Sequence, residues 1–79
     1  MPRFYFNVCD GAKLSHTDEV GEELADAHAA WALAICYTGE VLRDLDGKLE
    51  PEADWRLEVT SENGRRVCSI FVTGKLEAA

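Results

Sequence analysis

Polar and apolar residues alternate one by one near both ends of this chain, and every three to four residues in its middle. From Arg3 to Cys9, the residues Phe4, Phe6 and Val8 fall on one face and Tyr5, Asn7 and Cys9 on the other. This is the period-two pattern of a strand, strengthened by aromatic and β-branched residues. Asp10-Gly11 follows, a pair suited to a tight hairpin turn because both positions accept positive φ. A short second strand over about 12–16 is predicted to fold back, with Leu14 its one strongly apolar residue. Residues 17–23 form an acidic connection, and acids are favoured where a helix begins because its amino end carries a partial positive charge. Gly21 or Asp26 marks the start, and Asp26 is a good N-cap.

A helix is predicted over about 23–45. At 100° per residue, Leu24, Ala27, Trp31, Ala34, Ile35, Thr38, Val41, Leu42 and Leu45 share one stripe, the seam expected to face a sheet. Arg43 suits the carboxyl end, Gly47 is a plausible C-cap, and Pro51 prevents the helix from resuming. After a polar connector over 48–54, Trp55, Leu57 and Val59 alternate with Arg56, Glu58 and Thr60, the cleanest strand in the chain. Asn63-Gly64 is a strong hairpin signal. The returning strand, about 66–73, is apolar on both faces (Val67, Cys68, Ile70, Phe71, Val72), which predicts a place in the sheet interior. The architecture expected is α+β in the order ββαββ: one long helix on one face of a small, three- or four-stranded, mostly antiparallel sheet. Its core should gather Phe4, Phe6, Trp31, Ala34, Trp55, Leu57, Val59 and Ile70.

Composition narrows the function. Seventy-nine residues make one domain with a thin core. Fifteen acids against eight bases give a net charge of −7, which opposes binding to nucleic acid or to anionic membranes. The thirteen uncharged residues from Ala27 to Gly39 fall short of the roughly 20 needed to span a bilayer. The Met-Pro-Arg start leads straight into a strand pattern rather than a signal peptide. Three cysteines, Cys9, Cys36 and Cys68, are an odd and dispersed set, as expected of reduced thiols in a cytoplasm.

Several features together resemble a family of short, stand-alone bacterial proteins with an uncharacterised domain. They are the opening Met-Pro-Arg-Phe-Tyr-Phe, Asp10-Gly11, Glu23-Leu24-Ala25-Asp26 leading into an Ala-rich helix, and Glu62-Asn63-Gly64-Arg65 after a Trp-led strand. The resemblance covers nearly the whole chain. It implies the ββαββ order and a cytoplasmic bacterial setting, and no activity. The chain departs from the family's usual pattern along the helix, where Ala29, Leu33 and Cys36 stand at positions that relatives commonly fill with charge.

No constellation for chemistry emerges. Cys9, His16, His28, Cys36 and Cys68 lack the close pairing of zinc ligands, so no metal is expected. Cys36 and His28, eight residues apart on a helix, cannot touch. Cys9 and His16 could meet across the first hairpin, but such proximity is mostly structural and no orienting third group is evident. The acids near the helix start read as solvated, the run from Asp44 to Glu52 lacks calcium-loop spacing, and no phosphate or dinucleotide loop is present. No catalytic residue and no cofactor are therefore expected.

The function expected is a small, non-enzymatic interaction module that self-associates as a homodimer. The middle of the helix carries no charge on its outer side, where Ala29, Ala32, Leu33 and Cys36 lie, with Tyr37 and Glu40 at the margin. That patch is the predicted interface, since two-fold pairing is the commonest way to cover such a face. The alternative is an acidic regulator, a nucleic-acid mimic that occupies a basic partner.

Overall fold

The computed structural model describes residues 1–11, 14–45 and 54–78, with nothing described of the side chains of Leu14 and Ser15. The expected cap at Gly47, the stop at Pro51 and the connector over 48–53 lie outside the described residues. The elements are β1 (Arg3–Asp10), β2 (Leu14–His16), β3 (Glu22–Glu23), α1 (Ala27–Leu45), β4 (Asp54–Ser61) and β5 (Arg66–Thr73). All pairings are antiparallel, in the order β2-β1-β4-β5, with the two-residue β3 also against β1. The α+β class and the ββαββ order hold.

The register explains the core. Phe6 lies opposite Val59, Val8 opposite Leu57, and Leu57 in turn opposite Ile70. The apolar halves of three strands thus share one sheet face. The helix packs on it, burying Phe4, Phe6, Trp55, Leu57 and Val59 with Ala30 and Ala34. A large side chain buried in this way contributes about 1.5–3 kcal/mol. Ile70 is half-buried against that core.

Two sequence expectations about the helix are corrected. It begins at Ala27, because Glu22 and Glu23 pair with Phe4 and Arg3 as β3 and cannot also be helical. Asp26 is the cap: its Oδ1 accepts the Ala29 amide at 2.9 Å, and its carbonyl accepts that of Ala30. The buried line also differs. It runs through Ala30, Ala34 and Thr38, with Leu33, Tyr37 and Val41 packed beside it, whereas Trp31 is 46% exposed. The reason is steric. Two alanines let the helix axis come close to a sheet that already supplies Phe4, Phe6 and Trp55, and the bulky residues are displaced to the flanks. Thr38 satisfies its buried hydroxyl by donating to the Ala34 carbonyl at 2.9 Å.

Strand β5 is also corrected, from interior to edge. The two hairpins join through β1 and β4, and no described strand lies beyond β5. Alternation within a strand reports burial of its faces and says nothing of its neighbours, so a strand apolar on both faces reads as central. A bulge between Val59 and Thr60 leaves Val67 as the extra residue on β5.

On the far side of β1, strands β2 and β3 are collinear but do not meet, and Asp18 fills the gap. Its Oδ2 accepts the Phe6 amide at 3.1 Å, the bond a neighbouring strand would otherwise make. Its Oδ1 accepts the amides of Val20 and Gly21 at 3.0 Å each, and the Asp18 amide donates to Asn7 Oδ1 at 2.9 Å. Burial alone would raise the Asp18 carboxyl. The three amide bonds, from Gly21, Phe6 and Val20, outweigh it and hold the carboxyl below its ordinary value. Gly21 has φ +75°, and a Cβ there would sit 2.8–2.9 Å from Arg3 Cγ, the Phe4 carbonyl oxygen and Tyr5 Cε1. Only glycine fits. Arg3 ties down the same loop, donating to the Val20 carbonyl at 2.8 Å and pairing with Glu23 at 3.2 Å.

Candidate functional site

The helix has two flanks, and they differ. On the flank toward β1 and β2, Tyr37 meets Phe6 edge to face, with ring centroids 5.2 Å apart. Beside this contact a half-open cleft of about 370 Å³ is floored by Phe6, Val8, Val41, Trp55 and Leu57. Its rim carries His16, Asp18, Glu40 and Asp44. Burial, and after it the carboxylates of Glu22, Asp18 and Glu40, push the Tyr37 phenol above its ordinary value. Asp18, on that rim, is already committed to three amides.

On the other flank the helix passes β5. Ala27, His28 and Trp31 face Val67 and Cys68 across a shallow groove. Trp31 is followed at helical spacing by Ile35 and Leu42, which are 49% and 42% exposed. Phe71, on β5 itself and on the sheet face away from the helix, is 64% exposed. The described large apolar side chains left open within α1 and the strands are these four: three at helical spacing on one flank of α1, and one on β5. The edge is short of charge as well, since Arg66 is the only ionised residue in β5.

The six residues of the sequence-predicted interface separate. Ala32, Cys36 and Glu40 are exposed on the outer side, and Ala29 is half-buried. Leu33 and Tyr37 turn toward the sheet and pack against the core. The patch thereby loses its two largest members, for the same reason that Trp31 leaves the core: the helix is rotated about its axis relative to the expected seam. Sequence reasoning missed the Trp31-Ile35-Leu42 flank because a hydrophobic stripe is normally read as buried.

The candidate chemistry stays dispersed. His16 lies opposite Val8 and therefore on the helix side of the sheet, while Cys9, opposite Ser15, faces the other way. Cys9 and His16, which could have met across the hairpin, belong to opposite sheet faces, because adjacent residues of a strand point to opposite faces. Cys36 is exposed, and burial pushes the half-buried Cys68 thiol up. Among the described residues no group of three or more His, Cys, Asp or Glu is placed to hold a metal ion. No described helix is long and apolar enough to cross a membrane.

Fold and surface together define a class: a small α+β domain with a helix on one sheet face, an edge strand beyond which no described strand lies, and an exposed apolar flank on the helix. The chain belongs to the family described as a domain of unknown function, DUF6894, whose profile matches residues 3–73. The match runs from the first residue of β1 to the last of β5. No curated protein and no solved structure matches the chain.

Proposed function

We propose that this chain is a non-enzymatic protein-interaction module that acts by self-association. One observation carries the reading: Trp31, Ile35 and Leu42 lie open to solvent at helical spacing on one flank of α1, and Phe71 is open on the edge strand β5. Isolated exposed apolar residues are ordinary, but a helix flank with three at helical spacing marks an interaction surface. The contact is moved from the outer helix face to the β5 flank, because Leu33 and Tyr37 serve the core.

Light scattering over a concentration series tests the reading. The expected mass at high concentration is twice 8.8 kDa. A chain that stays monomeric at hundreds of micromolar overturns it.

The second reading, an acidic regulator or nucleic-acid mimic, draws on the net charge of −7. It ranks lower because three of the acids crowded before the helix have structural work: Asp18 accepts three amides, Glu23 pairs with Arg3 and Asp26 caps α1. Partner binding that weakens steeply with added salt would favour it.

A further inference from the structure

We infer that the partner seated on the β5 edge is a second copy of this chain, joined by two-fold antiparallel pairing of β5 with β5 and centred on Phe71. This rests on the self-association proposed above and specifies its geometry.

The main chain of β5 sets the register. Gly11 N donates to the Asp54 carbonyl and Ser61 N to the Arg65 carbonyl, which fixes the alternation along β4. Even-numbered residues of β4 turn their main chain to β1, and odd-numbered ones to β5. Ile70 and Val72, opposite Leu57 and Trp55, therefore bond inward. The amide and carbonyl groups of Ser69, Phe71 and Thr73 point out of the sheet. Two-fold pairing about Phe71 places Ser69 against Thr73 of the second copy and uses all three outward positions. The bulge at Val67 bends the strand upstream of this stretch, so the straight part of the edge is the part that pairs.

Side chains favour the same arrangement. On the open sheet face, Phe71 meets its own copy directly across the joint, where aromatic cross-strand pairs stabilise sheets. On the helix face, Ile70 and Val72 lie against Val72 and Ile70 of the second copy. The helix contacts both β4 and β5. Strands are about 4.8 Å apart, so a helix centred over that pair sits about one strand spacing from the two-fold axis. The two helix axes are then about 9.6 Å apart, within the 8–10 Å of packed helices. Trp31, Ile35 and Leu42 face into that space from both sides. Charge agrees: in a chain of net charge −7, neither Ala27–Gly39 nor the outward residues Ser69, Phe71 and Thr73 carry an Asp or Glu to repel a second copy.

The experiment combines solution mass with amide hydrogen exchange by NMR on the wild-type chain. Two substitutions accompany it: Phe71→Lys at the joint, and Cys36→Glu on the exposed outer side of the helix. Far-UV circular dichroism checks that each variant folds. The expected result is that the Ser69, Phe71 and Thr73 amides become protected as the mass doubles. Phe71→Lys should weaken association on the order of tenfold or more, while Cys36→Glu still dimerises. A dimer in which those three amides exchange freely, or one abolished by Cys36→Glu and untouched by Phe71→Lys, overturns the β5 pairing and leaves self-association standing. A wild type that never exceeds monomer mass overturns both.

Discussion

Asp18→Ala should destabilise this domain more than any other removal of a surface acid. The carboxylate sits where β2 and β3 leave β1 without a partner, and it accepts the amides of Phe6, Val20 and Gly21. The Phe6 amide is partly buried within the sheet, and without Asp18 it has no acceptor. A hydrogen bond to a charged group is worth about 1.5–3 kcal/mol, and stranding the donor falls in the same range. The Val20 and Gly21 bonds resemble those of a helix cap, and water recovers part of what they lose. A total loss of about 2–3 kcal/mol follows, which for a domain of this size lowers Tm by roughly 10–20 °C. Asp18→Asn keeps one oxygen acceptor but sets an NH2 group against one of the amides, so about half the loss is expected. The assay is urea and thermal unfolding, with exposed Glu19→Ala as the control. The pH dependence supplies a second handle. The folded carboxyl lies below its ordinary value of 3.8, so its contribution is present above that value and is lost as pH falls through the lower, folded one. The gap between wild type and Asp18→Ala should therefore close under acid. An Asp18→Ala protein that melts with Glu19→Ala, or a gap that does not change with pH, refutes the bridging role.

Gly21→Ala combines a left-handed backbone with three sub-3 Å contacts, and should lose at least about 2 kcal/mol; an unchanged melting temperature contradicts it. The two tryptophans should separate cleanly. Trp55→Ala should cost about 3–5 kcal/mol as a buried aromatic. Trp31→Ala, measured at concentrations where only monomer is present, should cost less than half as much, and equal losses would restore Trp31 to the core.

Strands β1, β4 and β5, the turn at Asn63-Gly64 and the helix with its Asp26 cap were legible because each rests on local chemistry, such as the alternation in Phe4-Phe6-Val8 and Trp55-Leu57-Val59; the two-residue β3 was not, since acids before a helix read as part of its first turn. The facing of the helix was not. Hydrophobicity weights Trp31, Ile35 and Leu42 inward, whereas close packing selected Ala30 and Ala34, and only the sheet's own bulk decides between them. The place of β5 was illegible for a related reason, since strand order is set by which hairpin strands meet. The Asp18 bridge was hidden because its carboxylate serves a main-chain gap created by β1 eleven or more residues away. The candidate surface follows from these same misreadings: the flank expected inside is outside, and the strand expected in the middle is at the edge.

The sheet order has a consequence for how the chain acquires its shape. Its two central strands are β1 and β4, and the partners Phe4 and Ser61 stand far apart along the sequence. The hairpin of β4 and β5 can form early because its strands are adjacent along the chain. The pairing of β1 with β4 must close a loop that contains the whole helix, and non-local closure of this kind slows folding more than it weakens the product. A growing chain that has reached the end of α1 holds Phe4, Phe6, Ala30 and Ala34 but none of Trp55, Leu57 or Val59. The apolar face of β1 therefore stays uncovered until β4 has been made, and the last third of the molecule supplies the surface on which the first third becomes ordered.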